Sequence, residues 1–149
     1  MNVGEICIRE VVVATAETTV VEASKLMREF HVGDLVVVEE SRGRRVPTGI
    51  VTDRDIVIEV VAPGLEPAVL TVGDIMGGEL ITAAETDAVF ETLQTMRRRG
   101  VRRMPVVDAQ GALAGIVALD DILEIIAEEL GAAVKLTARE QSNEAQRRR

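Results

Sequence analysis

The chain has 149 residues, 47% hydrophobic and only 1% aromatic, with a formal net charge of −8. That length suits one compact domain or two small units sharing a core. The negative charge repels nucleic acid, and two Phe with no Tyr or Trp give single-stranded bases almost nothing to stack on.

No apolar run approaches a membrane span, and no basic segment followed by an apolar stretch opens the chain, so no membrane association and a cytoplasmic protein are expected. With Cys7 and His31 as the single residues of their kinds, an intrachain disulfide and a zinc site are both excluded. No nucleophile-elbow pattern accompanies His31, so no catalytic residue and no metal site is expected.

The chain opens on Val3-Gly4-Glu5-Ile6, which recurs 69 residues later as Val72-Gly73-Asp74-Ile75. Val11-Val12-Val13 predicts a short first strand. A helix follows, signalled by Thr19 with Glu22 three residues on, a capping-box spacing. Val20, Ala23, Met27 and Phe30 then share one helical face. Residues 35–38 and 48–51 read as two strands buried on both faces, separated by a polar, Arg-rich turn at residues 40–47. A closing helix begins near Asp53.

The second copy repeats this order. Leu80-Ile81-Thr82 predicts the first strand, and Asp87 can cap a helix striped by Val89, Leu93 and Met96. Residues 104–107 and 113–117 are the next strands, joined by Asp108-Ala109-Gln110-Gly111, where Gly suits a positive φ. A closing helix begins near Asp120, with Ile122, Ile125 and Ile126 as its stripe. Arg97-Arg98-Arg99 falls at a helix end, where cations suit the dipole.

Gly49-Ile50-Val51 recurs as Gly115-Ile116-Val117 at an offset of 66, so the first copy holds a three-residue insertion in its turn. Each copy is therefore β-α-β-β-α, and a unit that small is marginal alone. The expected organisation is a first repeat over residues 3–62, a linker over 63–73, a second repeat over 74–131 and a polar tail over 132–149, frayed at its end.

The chemistry-bearing motif is Gly49-Ile50-Val51-Thr52-Asp53-Arg54-Asp55, with Gly115-Ile116-Val117-Ala118-Leu119-Asp120-Asp121 as its mate. A strand ending where a helix begins leaves backbone N–H groups free to meet an anion. Thr52 adds a hydroxyl, and a carboxylate in the first helical turn can accept two bonds from a ribose diol. The same Thr52 and Asp55 also make an ordinary helix cap. Asp121 keeps the acid in the second copy, although Ala118 has lost the hydroxyl.

The βαββα repeat, occurring twice and ending in Gly-hydrophobic-hydrophobic-Thr-x-x-Asp, resembles the CBS domain pair, or Bateman module. Gly100-Val101-Arg102-Arg103-Met104-Pro105 is similar to the family's approach to its middle strand, and Thr71-Val72-Gly73-Asp74-Ile75-Met76 to its approach to a second repeat. The resemblance covers residues 3–130. It implies an α+β fold of two tandem CBS repeats packed pseudo-symmetrically into one module, with two related clefts between them.

By resemblance those clefts bind AMP, ADP, ATP or another adenosyl compound as a regulatory ligand, with no cofactor required. The motif Asp would hold ribose, Thr52 and nearby cations phosphate, and first-strand residues such as Val13, Ile81 and Thr82 adenine. Arg102, helped by Arg103 in the motif that ends at Pro105, stands where family members send a cation to phosphate. Gly33 and Asp34 are its counterparts in the first copy, and Val36 replaces the proline.

If each cleft borrows from the start of the opposite closing helix, Asp121 gathers Arg102 and Arg54, while Asp55 gathers Asp120. The Asp121 cleft is then expected to prefer phosphorylated nucleotide, and the Asp55 cleft a ligand of little negative charge. The resemblance further implies a homodimer acting on a separate regulated protein, without enzymatic activity and without nucleic acid. Helix faces carrying Val20, Ala23, Ile122 and Ile125 could supply dimer contacts, though core burial explains them equally. The alternative is a structural dimerisation module with vestigial clefts, which Ala118, Gly33 and Val36 favour.

Overall fold

The structure is a computed structural model that describes residues 1–148. Its elements run α1 (Val3–Ile6), β1 (Val13–Ala14), α2 (Val20–Phe30), β2 (Asp34–Ser41), β3 (Arg44–Thr52) and α3 (Asp53–Ile56), which continues as a π-helical turn over Val57–Val61. The second half runs α4 (Val72–Ile75), β4 (Ala83–Ala84), α5 (Val89–Arg99), β5 (Arg103–Val107), β6 (Leu113–Ala118) and α6 (Leu119–Arg147). Two three-stranded sheets result, ordered β1-β2-β3 and β4-β5-β6. In each, the first strand pairs parallel to the second and the second antiparallel to the third. Both middle strands slip register at matched places, Val37/Val38 and Val106/Val107.

Local sequence explains these elements. Thr19 Oγ1 accepts from the Glu22 N–H at 3.1 Å while Glu22 accepts from the Thr19 N–H at 2.9 Å, so α2 starts on a closed capping box. It ends at His31 in the left-handed region (φ 54°), as α5 ends at Gly100 (φ 68°). Ala23 and Met27 face the first core, with Leu35, Val37 and Val51 beneath them, and Val20 is buried at the start of the helix. Val89 and Met96 face the second, over Met104, Val106 and Val117.

Several details depart from the sequence reading. Phe30 is exposed: it shares the helical face of Ala23 but stands at the last residue of α2. Asp87 does not cap α5: its carboxylate accepts from the Ala84 N–H at 2.9 Å, and Ala88 takes the N-cap place without a side-chain bond. The first strands fall later than Val11-Val12-Val13 and Leu80-Ile81-Thr82 suggest, at Val13–Ala14 and Ala83–Ala84. The three-residue insertion lengthens a hairpin rather than a loose turn. Arg42 (φ 52°) and Gly43 (φ 75°) reverse the chain in two residues, so pairing continues out to Ser41 and Arg44.

The largest departure is an exchange of opening segments. α1 does not pack on the sheet that follows it. The Val3 and Gly4 N–H groups donate to Asp87 O and Glu85 O, both at 2.8 Å, and Ile8 pairs with Ile116 through two bonds of 2.9 Å. Val3 is fully buried in the second core. Reciprocally, the Val72 and Gly73 N–H groups donate to Thr18 O (2.7 Å) and Ala16 O (2.8 Å), and Val72 is buried in the first core. A Cβ on Gly4 or Gly73 would lie 3.0 Å from the carbonyl oxygen it faces, which explains why both copies hold Gly there.

Val3, the first residue of the repeat read at 3–62, therefore packs in the second core, and Val72, at the end of the linker read at 63–73 before the repeat at 74–131, packs in the first. The expected tail also differs: α6 runs unbroken to Arg147, exposed on all sides beyond Gly131. Val20, Ala23 and Ile122 are wholly buried within the chain, so they cannot serve a dimer.

Candidate functional site

Each closing helix starts directly from the last strand of its sheet. At the β3–α3 junction the Asp55 N–H donates to Thr52 Oγ1 at 3.1 Å, and the Thr52 N–H donates to Asp55 Oδ2 at 2.9 Å. The cap leaves the Thr52 hydroxyl hydrogen free to donate, and Asp55 Oδ1 has no protein partner among the described residues. At the β6–α6 junction the Ala118 N–H donates to Asp121 Oδ2 at 2.8 Å. The Ala118 methyl accepts nothing, so only the carboxylate half of that cap forms. Both motif acids therefore serve as caps and still hold one oxygen in reserve.

Two clefts open beside these junctions. The larger, about 520 Å³, is lined by Gly49, Ile50, Thr52, Asp53, Arg54 and Asp55 of the first repeat, and by Leu80, Ile81, Val101, Arg102 and Arg103 of the second. The smaller, about 300 Å³, is its pseudo-symmetric mate. It is lined by Ile116, Ala118, Asp120 and Asp121 of the second repeat, and by Val11, Val12, His31, Val32, Gly33 and Asp34 of the first. Each cleft thus joins the motif of one repeat to the first-strand approach and helix-to-strand loop of the other. Both volumes fall in the usual range for small-molecule sites.

This geometry corrects the expected composite of Asp121, Arg102 and Arg54. Arg102 and Arg54 line the Thr52 cleft with Asp55, whereas Asp121 shares its cleft with Asp120. The motif acid and its own helix-start neighbour stay together, because three residues at the start of one helix cannot reach opposite sides of the module. Arg103 lines both clefts.

Of the residues expected around adenine, Ile81 lines the Thr52 cleft. Thr82 turns away into a separate groove with Asp87, Glu91 and Arg98. Val13 lies in β1 against Val36 and lines neither cleft, its neighbours Val11 and Val12 doing so instead. Pro105 is buried in β5 opposite Ile116 and lines neither cleft.

The charges divide unequally. The Thr52 cleft holds Arg54, Arg102 and Arg103 against Asp34, Asp53, Asp55 and Glu79. The Asp121 cleft holds Arg103 and His31 against Glu10, Asp34, Asp120 and Asp121.

Between them, Arg103 Nε stands 3.2 Å from Asp34 Oδ1, and Arg102 reaches Asp120 at 3.5 Å. Asp34 and Arg103 are one 69-residue offset apart, so an acid and a base meet at matched positions of the pseudo-twofold. Burial pushes the Asp34 carboxyl above its ordinary 3.8, against the lowering effect of Arg103 and with a further push from Asp53. Asp34, Asp53 and Glu10 were not singled out from the sequence as site residues. The repeat offset sets Asp34 at the place of Arg103, but a sequence offset does not say that the two side chains meet.

Two pseudo-symmetric sheet-and-helix units, with exchanged opening segments and a cleft at each strand-to-helix junction, define a tandem two-cleft module. The chain matches the CBS domain family over residues 3–62 and 72–128, and it belongs to that family. An uncharacterized protein of Methanopyrus kandleri is 40% identical over 125 residues, covering 84% of this chain and 62% of that relative's length. The structure of the CBS domain pair of protein MJ0100 in complex with 5-methylthioadenosine and S-adenosyl-L-methionine aligns with a TM-score of 0.73 at 27% identity, covering 87% of this chain and 98% of the other. The CBS domain protein PAE2072 from Pyrobaculum aerophilum, complexed with AMP, aligns at 0.72 with 26% identity, covering 81% and 89%. No helix among the described residues is long and apolar enough to cross a membrane, and no cluster among them could hold a metal ion.

Proposed function

We propose that this chain is a non-enzymatic, cytoplasmic regulatory module that binds adenosyl ligands in its two clefts and acts on a separate protein as a homodimer. The observation that carries the reading is the meeting of Thr52 and Asp55 with Arg54, Arg102 and Arg103 in one cleft between the repeats. The free Asp55 oxygen suits a ribose hydroxyl, and the Thr52 hydroxyl with the arginines suits phosphate. AMP, ADP or ATP belongs in this cleft. The Asp121 cleft sets its four acids against a single arginine, Arg103, where the Thr52 cleft has three, so it disfavours phosphate and suits a neutral or cationic adenosyl compound. The complexes of AMP and of S-adenosyl-L-methionine in similar CBS pairs support both ligand classes.

Calorimetric titration tests the assignment. AMP binding should be lost in Asp55→Ala and kept in Asp121→Ala, with the opposite pattern for S-adenosyl-L-methionine. Equal losses of AMP in the two variants would overturn it. The alternative, a structural dimerisation module, is favoured by one observation: both motif acids are engaged as helix caps. It predicts no thermal shift with any adenosyl ligand, where a bound one at 100 times its Kd adds about 2.7 kcal/mol.

A further inference from the structure

Residues 129–147 of α6 lie past the matched residues of the CBS family and serve neither cleft. From residue 132 to 147 every side chain is exposed, so this helix leaves the body of the module as an arm. Leu123, Leu130 and Val134 are 50%, 65% and 62% exposed. With Ala127 and Ala138 they follow helical spacing and form one continuous stripe of apolar and small residues.

Charge is arranged against a solitary helix. Single helices are supported by opposite charges four residues apart. Here the pairs at that spacing are mostly alike: Asp120, Glu124 and Glu128 in one row, then Lys135 and Arg139, then Glu140 and Glu144. Glu144 with Arg148, at 2.6 Å, is the favourable exception. Between Leu119 and Val134 there are five acids and no base, whereas residues 135–148 hold four bases and two acids. The acid row and the Lys135–Arg139 row continue along the same flank of the stripe. A helix acidic in its first half and basic in its second repels a parallel copy and complements an antiparallel one.

We infer that the α6 arm is a docking surface for the α6 arm of a second copy of this chain, packed antiparallel across a twofold near Leu130 and Gly131. In that register Ala127 meets Val134 and Leu123 meets Ala138 of the other copy. Glu128 then faces Lys135, and Glu124 faces Arg139. Gly131, with open space where a Cβ would stand, lets the helices approach closely at the crossing. This deepens the homodimer reading and rests on it, naming the surface and direction of the contact.

The test uses the full chain in a Cys7→Ser background. Under mild oxidation, a mixture of Ala127→Cys and Val134→Cys single variants should form the mixed disulfide dimer. Neither variant alone should crosslink, because equal numbers meet only in a parallel pair or at the twofold. Self-crosslinking of Ala127→Cys, or no mixed product, overturns the antiparallel arm.

Analytical ultracentrifugation supplies the second readout. Glu124→Lys with Glu128→Lys should raise the dimer dissociation constant at least about tenfold at low salt, and adding Lys135→Glu with Arg139→Glu to the same chain should restore it. Failure of that restoration also overturns the proposal. A wild-type dimer that keeps its mass in all these variants refutes the arm alone. A wild-type monomer at every concentration refutes the homodimer reading with it.

Discussion

Replacing Arg102 with Ala tests how the Thr52 cleft recognises charge. In the free protein its guanidinium is 3.5 Å from Asp120, with the two side chains 72% and 64% exposed. A pair that exposed contributes about 0–1 kcal/mol. A charge-assisted contact with phosphate contributes about 1.5–3 kcal/mol. Moving Arg102 from Asp120 to a ligand phosphate therefore leaves a gain of about 0.5–3 kcal/mol, a range that includes a change of about tenfold in Kd. Calorimetry with AMP and with 5-methylthioadenosine, at low and at physiological salt, separates this effect from general damage. Arg102→Ala should weaken AMP about tenfold, less at higher salt, and leave 5-methylthioadenosine unchanged. Asp120→Asn should tighten AMP by less than about fivefold, since the competing carboxylate is gone. Equal weakening of both ligands by Arg102→Ala, or an AMP affinity indifferent to it, refutes the reasoning.

Gly115→Ala would set a Cβ 2.7 Å from Cys7 Sγ and 2.8 Å from Ile8 O, whereas its mate Gly49→Ala meets only the flexible Met76 Sδ at 3.0 Å. The first should cost about 1–3 kcal/mol and the second under about 1 kcal/mol, and equal urea midpoints would refute the difference. Val3→Ala removes fully buried methyls from the second core and should cost about 2 kcal/mol. Hydrogen exchange should show lowered protection in β5 and β6 before β2 and β3, and the reverse order would contradict the exchanged topology.

Asp34→Asn should stabilise the fold at neutral pH. The folded carboxyl is held above its ordinary 3.8, so the folded state binds the proton more tightly than the unfolded chain. Stability from this group falls as pH rises from 3.8 through that raised value, and neutral pH carries the whole penalty. The variant's advantage, measured by denaturation, should therefore be present at pH 7 and shrink as pH falls toward 3.8. An advantage that grows on acidification would refute the sign.

Much of this architecture was legible because the chain states it twice. The 69-residue offset aligned the two copies, and runs such as residues 35–38 announced strands whose both faces are buried. Capping signals at Thr19 and Thr52 appear as closed boxes. Contacts between copies were harder to read. Nothing in Val3-Gly4-Glu5-Ile6 says which sheet it covers, since both copies carry the same pattern and either pairing buries Val3. The same ambiguity misassigned the arginines. Local periodicity fixes where Arg54 and Arg102 stand on their own elements, but their common cleft depends on the rotation that relates the repeats.

That rotation also gives the partition between the clefts its character. Exact symmetry would bring two like residues together at the starts of β2 and β5, and like charges there would repel. The chain instead places Asp34 opposite Arg103, so the contact between the two sheets is attractive and the symmetry is broken where both clefts meet. Arg103 and Asp34 line both clefts, and Arg103 is the more exposed partner, at 43% against 10%. A phosphate in the Thr52 cleft competes with Asp34 for the Arg103 guanidinium. Each step of Arg103 toward that phosphate leaves the nearly buried Asp34 carboxylate less compensated, at the wall of a cleft that already gathers acids. A cationic ligand in the Asp121 cleft offsets that charge, whereas an anionic one adds to it. If adenosyl ligands occupy the clefts as proposed, this ion pair makes the two unequal in ligand class and ties the occupancy of one to the charge accepted by the other.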